Sequence, residues 1–199
     1  MVIVYLLRSD REAKGVSARS HAIFESYDAL FKEGKLGEEL ENCEVMLGEP
    51  DEYTKGKDMD FYSGITSGGF SASEEICEKM ELSRCPDVSL IPFILKDNGK
   101  RYFYLALNNV IDVRDKSECE FKLPVASKPN SMFNIDPKHP KLNRTMLFTM
   151  PWADPKFSHK TISTTFYVSV SEKPFEYDFL KMYLSLNLTG INPIELCRY

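Results

Sequence analysis

The hydrophobic and polar positions along the chain change rhythm several times. Val2-Ile3-Val4-Tyr5-Leu6-Leu7 is apolar at consecutive positions, which predicts a strand buried on both faces. Residues 8–19 are polar and loop-like. From Ser20 to Leu40, Ile23, Phe24, Tyr27, Leu30 and Phe31 recur at helical spacing, until Gly34 and Gly37 break the pattern. Residues 43–69 hold five glycines, one proline and much charge, and read as strand fragments and loops.

The middle of the chain is more regular. Ser71 and Glu74 have capping-box spacing and Ser73 is a second N-cap candidate, so a helix is expected to run to about Leu82. Val88–Leu95 is rich in aliphatic residues, and Tyr102-Phe103-Tyr104-Leu105-Ala106-Leu107 follows it. Between them Asp97-Asn98-Gly99 is a tight-turn signal, so the two runs are read as a hairpin. Val110, Ile111 and Val113 continue the second strand or start another.

Prolines at 124, 129, 137, 140, 151 and 155 exclude a central strand there, because each removes a backbone donor and fixes φ. One short strand is expected inside this excursion, at Met146–Thr149. Ile162–Val170 returns to a strand. Ser171 can cap a final helix with Phe175, Phe179, Met182, Tyr183 and Leu186 as its apolar stripe. Gly190 stops that helix and Ile191–Leu196 forms a last strand. An internal echo runs through these elements. Ser71-Ala72-Ser73-Glu74 leads into a helix and then Leu90-Ile91-Pro92-Phe93, and Ser169-Val170-Ser171-Glu172 leads into a helix and then Ile191-Asn192-Pro193-Ile194. The echo is either a duplicated unit or the ordinary preference of Ser and Glu for helix starts.

The pattern gives an α+β chain with a largely antiparallel sheet and at least two helices packed on it. Composition agrees: 43% hydrophobic residues over 199 positions suffice for a core without disulfide or metal. One domain over residues 1–199 is expected, with lobes 1–120 and 121–199 as the alternative division. The N-terminal apolar run is far short of the about 20 residues needed to span a bilayer, and it lacks a basic flank and a cleavage site. Cys43, Cys77, Cys85, Cys119 and Cys197 are odd in number with no CxxC pair, which speaks against a disulfide framework or a zinc ribbon. The expected setting is cytoplasmic, with reduced thiols, where the sequons at Asn143 and Asn187 carry no meaning.

Charge is unevenly distributed. Residues 1–100 carry 12 basic and 20 acidic side chains, and residues 101–199 carry 13 and 10. The acidic excess concentrates between Glu25 and Asp60, with 12 acids against four lysines. A net charge of −5 gives no long-range attraction for nucleic acid. An acidic segment can steer a basic protein partner, or can simply keep the surface solvated.

Candidate chemistry is sparse. The chain has no GxGxxG, GxxxxGK[ST], GxSxG or HExxH. Thr66-Ser67-Gly68-Gly69-Phe70 lacks the lysine and spacing of a phosphate loop and reads as a flexible entry into the capped helix. His21, His139 and His159 are far apart and read as surface residues. Cys77 falls on the helix face with Ile76 and Met80, as a small buried hydrophobe. Asp58 and Asp60 flank Met59, a pair too small to specify cation binding or acid–base work. Trp152, in Met150-Pro151-Trp152-Ala153-Asp154-Pro155, is either an interface anchor or the plug that pins its loop to the core.

The order Phe31…Gly34-Lys35, Asp60-Phe61, Phe70-Ser71-Ala72-Ser73-Glu74-Glu75, Ile91-Pro92-Phe93 and Tyr102-Phe103-Tyr104-Leu105-Ala106-Leu107-Asn108-Asn109-Val110-Ile111-Asp112 resembles bacterial immunity-protein family eleven of polymorphic toxin systems. The end is similar to that family too: Phe166-Tyr167-Val168-Ser169-Val170-Ser171-Glu172, a helix, then Leu188-Thr189-Gly190-Ile191-Asn192-Pro193-Ile194-Glu195-Leu196. The resemblance covers most of the chain loosely and rests on strand and helix-cap residues. Residues 124–160 are longer and richer in proline than the family pattern, and residues 1–20 match little of it. The resemblance implies a protein that binds and neutralises a cognate toxin by direct contact, with no catalytic, metal or cofactor residues.

The expected partner is therefore a toxin protein with a basic surface, with neither nucleic acid nor membrane involved. Its expected docking residues are Glu38, Glu39, Glu41, Glu44, Glu49, Asp51, Glu52 and Trp152. Two rivals stand beside this reading. One is an enzyme whose site assembles from distant residues such as His139, His159 and a cysteine. The other is a structural or adaptor protein that self-associates through sheet edges or the Trp152 loop.

Overall fold

The structure, a computed structural model, describes residues 1–19, 40, 43–48, 56–114, 135–136, 138–150, 166–172 and 175–198. Ten strands and two α-helices occur among them. They are β1 (Val2–Ser9), β2 (Gly15–Arg19), β3 (Glu44–Leu47), β4 (Phe61–Gly64), β5 (Thr66–Ser73), α1 (Glu74–Lys79), β6 (Val88–Leu95), β7 (Lys100–Leu107), β8 (Met146–Phe148), β9 (Phe166–Ser171), α2 (Phe179–Ser185) and β10 (Ile191–Arg198).

The mixed strand-and-helix character expected from the sequence is present, and strands dominate it. The expected single sheet is instead two. Six strands close a barrel in the order β2-β3-β6-β7-β5-β4, and four form an antiparallel sheet in the order β10-β1-β9-β8. Barrel closure uses two parallel neighbours, β2 with β4 and β3 with β6 at Val45↔Leu95. The lobe division at residue 120 is crossed by β1, which lies between β9 and β10 with register Leu7↔Phe166 and Leu7↔Pro193. The residue 2–7 run is apolar throughout because β1 is central in its sheet and covered on both faces.

Strand alternation sorts the apolar residues into three cores. Val16, Val45, Tyr62, Phe93, Leu95, Tyr102, Tyr104 and Ala106 fill the barrel interior, as a six-stranded barrel requires. Phe61, Phe70, Ala72, Val88 and Leu105 point outward from the same strands and meet Leu7, Leu147, Phe166 and Val168 of the sheet, with both helices in this layer. Val4, Tyr167, Met146 and Phe148 face the other way, onto Ile111, Val113, Ile135 and Leu142. Aromatic edges fix the middle layer: Phe70 meets Phe166 at 5.1 Å between ring centroids, and Phe61 meets Tyr183 at 5.8 Å.

The β6–β7 hairpin forms as expected, with Leu95↔Lys100 as its last pair and Gly99 left-handed at φ +67°. Pro92 is tolerated in β6 because β3 pairs with β6 only at Leu95, leaving the outer side of Pro92 without a strand partner among the described residues. Ser73, not Ser71, caps α1: its Oγ accepts from Ile76 N at 3.3 Å, while Ser71 lies in β5. The helix ends at Lys79 rather than Leu82. Glu81 turns left-handed at φ 51°, and a 3-10 turn at Leu82–Arg84 brings Leu82 and Cys85 back into the core. Residues 66–70 form the start of β5, paired with β4, rather than a flexible entry.

The final helix starts later than the sequence suggests. Its cap is Asp178, whose Oδ1 accepts from Lys181 N, while Ser171 ends β9 and Phe175 precedes the helix. Leu186 is the C-cap and is exposed. Val110 leaves β7 and bridges Thr149 in parallel, covering the outer edge of β8. The helix expected across 20–40 and the strand residues 162–165 lie outside the described residues, apart from helical, buried Leu40.

The internal echo has a shared topology. β5 and β6 flank β7 antiparallel to both, and α1 joins them; β9 and β10 flank β1 in the same way, and α2 joins them. Each is a split β-α-β unit, strand–helix–strand with one foreign strand inserted.

Candidate functional site

Two polar junctions tie the barrel to the sheet. The first joins residues 129 positions apart. Asp60 Oδ2 accepts from Thr189 N and from Thr189 Oγ1, each at 2.8 Å, and Phe61 N donates to Thr189 O at 3.1 Å. Gly190 follows at φ +99°, and a Cβ on it would stand 2.1 Å from the carbonyl oxygen of Phe61. Only glycine fits, because the β4 backbone occupies the space of a side chain and the left-handed angle disfavours one. Tyr183 completes the corner, its hydroxyl donating to Ile191 O at 2.7 Å and accepting from Ile191 N. Burial raises the pKa of this phenol above its ordinary value, which keeps it protonated as a donor.

The second junction is built on a buried charge. Asp87, 2% exposed, precedes β6. Its Oδ1 accepts from Asn109 Nδ2 at 2.6 Å and from Arg144 Nη2 at 3.1 Å, and its Oδ2 from Leu147 N at 3.0 Å. Arg144 also stacks over the Phe175 ring at 4.2 Å, so one guanidinium joins the barrel end, the approach to β8 and the approach to α2. Asn109 Nδ2 further reaches Leu147 O. Every lone-pair direction of the carboxylate that this geometry uses is spent on holding position.

Two buried thiols, Cys77 and Cys85, are held in their protonated form. Burial, followed by the Glu74 charge, pushes Cys77 up to about 12, and its Sγ donates to Ala72 O. Burial likewise pushes Cys85 up to about 11. Each is a packing residue and a poor nucleophile at neutral pH. Asp58 and Asp60 act separately: Asp58 pairs with Lys14 at 2.8 Å, Asp60 with Thr189. His139 is half-buried, and its Nδ1 accepts from Lys141 N at the start of a 3-10 turn. No group of three or more metal-ligating side chains assembles among the described residues. No helix among them is long and apolar enough to cross a membrane.

Of the expected docking residues, Glu44 is described. It is exposed at the start of β3 and pairs with Lys96 at 2.6 Å, beside Leu47 N donating to Asp97 Oδ2 at 2.8 Å. Glu38, Glu39, Glu41, Glu49, Asp51, Glu52 and Trp152 lie outside the described residues, as do His21, His159 and Cys119.

The edges of the four-stranded sheet are both managed. β8 is covered by residues 109–111 through Ile111 N donating to Thr149 O and Thr149 N to Asn109 O. β10 carries Pro193, an extra residue at Leu196 where the register shifts, and the Glu195–Arg198 ion pair at 2.8 Å. A missing donor, a bulge and charge each disfavour pairing with another strand.

Sequence reasoning passed over Asp87, Arg144 and Asn109, whose roles come from positions far apart in the chain. Asn109 and Thr189 stand inside the segments that carry the immunity-protein resemblance. No family model matches the chain, and no curated protein matches it.

Proposed function

We propose that the chain is an immunity protein that binds a cognate bacterial toxin in the cytoplasm and neutralises it by contact, without cofactor or chemistry of its own. One observation carries the reading. Two of the segments on which the resemblance rests, those holding Asp60-Phe61 and Leu188-Thr189-Gly190, meet each other to join barrel and sheet. Residues that would be unremarkable singly are thus the ones on which this architecture depends, and this favours a likeness of whole fold. The acidic excess between Glu25 and Asp60 supports a basic partner surface, met by Glu38, Glu39, Glu41, Glu44, Glu49, Asp51, Glu52 and Trp152. The two split β-α-β units are read as an internal repeat, α1 and α2 each filling the same layer between barrel and sheet.

The test starts with affinity capture from the native cell, followed by reconstitution with the purified captured protein. The expected result is a stoichiometric complex in which the partner's toxic activity is abolished. Captured proteins whose activity is untouched by equimolar addition would overturn the reading. The docking surface is tested by reversing Glu38, Glu39, Glu41 and Glu44 together. Affinity is expected to fall at low salt and to converge with wild type at high salt. An unchanged affinity and salt dependence would remove the acidic segment from the interface.

A further inference from the structure

The hairpin turn that marks the middle of the sequence also holds a neighbouring strand. Lys96 N donates to Val45 O at 2.9 Å, Asp97 Oδ2 accepts from Leu47 N at 2.8 Å, and Lys96 Nζ pairs with Glu44. The turn thereby latches β3 to β6, which a single residue pair joins, while β2 pairs with the other edge of β3 at four positions. At its tip, Asn98 is followed by Gly99, whose missing side chain leaves the Asn98 amide carbon open to attack by the Gly99 backbone nitrogen.

We propose that Asn98–Gly99 is a self-modifying site whose reaction is gated by the latch and whose product releases β3 from β6. In the closed turn the reacting groups are occupied. Gly99 N–H donates to Leu95 O at 2.8 Å, Asn98 Oδ1 accepts from Lys100 N at 2.9 Å, and Asn98 Nδ2 donates to the hydroxyl of Tyr102 at 3.3 Å. Ring closure needs all three to part. When they do, Gly99 N bonds to Asn98 Cγ and the Cγ–Nδ2 bond breaks. The amide leaves as ammonia, carrying the proton lost from Gly99 N. Water then adds across one carbonyl–nitrogen bond of the succinimide. The product is aspartate, or isoaspartate when the chain continues through the former side chain. Isoaspartate inserts a methylene into the backbone at the tip and sets a carboxylate beside Asp97. The inserted methylene lengthens the chain between Leu95 O and Gly99 N, which the closed turn holds at 2.8 Å, and the loosened turn no longer holds Lys96 and Asp97 against β3; the ammonia expelled makes the change run one way.

The test ages the full-length protein, folded and in denaturant, and follows peptide 97–100 by the mass gain of an amide-to-acid exchange and by isoaspartate detection. Folded protein is expected to react at least about tenfold more slowly, as opening of the turn must come first. Tyr102→Phe, which removes a restraint on the reacting amide, is expected to react severalfold faster than wild type while folded, and Glu44→Ala, which removes only an exposed ion pair, less than about twofold faster. Equal rates in folded and denatured wild type would overturn the gate, and so would a Tyr102→Phe variant as slow as wild type. The aged, isomerised fraction is expected to exchange its Leu47 amide hydrogen faster than fresh protein. Unchanged protection of Leu47 in that fraction would overturn the release of β3.

Discussion

The two junctions between barrel and sheet solve one problem by opposite physics. At Asp60–Thr189–Gly190 the carboxylate is half-buried and Thr189 exposed, and the fit is set by buried backbone approaching backbone with no room for a methyl group. At Asp87–Arg144–Asn109 a carboxylate is withdrawn from water and held by three donors. The first is a steric lock, tolerant of charge and intolerant of volume. The second is an electrostatic lock, costly to build and more costly to half-remove, since an unpaired buried charge forfeits its hydration without return. The same interface therefore answers to size at one end and to charge at the other.

The largest effect is expected at the steric lock. Gly190→Ala places a methyl against the Phe61 carbonyl and forces a left-handed angle on a side-chain-bearing residue. The loss is expected to be about 4 kcal/mol, in the range that marks a broken backbone fit. Denaturant melts read it directly. A loss under about 1 kcal/mol would mean that β4 and the 187–190 turn can slide apart, and that the contact is no lock.

Asp87→Ala comes next, at about 3 kcal/mol, toward the lower end for a broken buried pair because Arg144 is 32% exposed and can recover some water. The double variant Asp87→Ala/Arg144→Met is expected to be more stable than Asp87→Ala alone, since it removes the orphaned charge. Strict additivity of the two substitutions would show that the pair is not coupled.

Alkaline titration separates the two ends in another way. Cys85 adjoins the charged junction, and Cys77 on α1 does not. A thiol whose folded ionisation lies above its ordinary 9.0 favours the folded state fully below that value and loses the advantage as pH rises toward 11 for Cys85 or 12 for Cys77. Stability is expected to fall above pH 9 by about 1.4 kcal/mol per pH unit for each thiol. Cys77→Ala and Cys85→Ala should each remove its own share of that slope just above pH 9, before the tyrosines contribute. A slope unchanged in both variants would show that the thiols are solvated.

How much of this was legible in the sequence depends on distance along the chain. The β6–β7 hairpin announces itself because Asp97-Asn98-Gly99 and the flanking apolar runs are local. Ser73 capping α1 is local too, although the helix stops where Glu81 turns left-handed, which no spacing reveals. Barrel closure was invisible because it depends on Val16 meeting Gly64 and Val45 meeting Leu95, parallel pairings with no turn to mark them. Asp178 displaces Ser171 as the cap of α2 because Phe175 and Tyr177 are drawn to the junction and the core before the helix can begin. Asp87 reads as an ordinary loop acid until Asn109, Arg144 and Leu147 close around it.

Asp60→Ala tests whether the half-buried carboxylate adds anything to the steric lock. It removes the acceptor of both Thr189 bonds but leaves Phe61 N bonded to Thr189 O. Water can replace the lost carboxylate, so the expected cost is about 1 kcal/mol. A cost as large as that of Gly190→Ala would make the carboxylate the lock and the glycine its accessory.

Lys96→Ala should cost least, and it carries the comparison to the strand beside the acidic segment. The substitution deletes the ion pair with Glu44 while the backbone of residue 96 still donates to Val45. Both side chains are more than half exposed, so water and salt screen their attraction. The expected loss is about 0.3 kcal/mol at low salt, vanishing at high salt. That outcome places the hold on β3 in backbone and Asp97 bonds, which salt does not loosen. It also leaves Glu44 able to exchange its lysine for a basic partner at little expense. A loss above about 1 kcal/mol that persists at high salt would reverse both conclusions, because Glu44 would then be a structural anchor and a poor choice for docking.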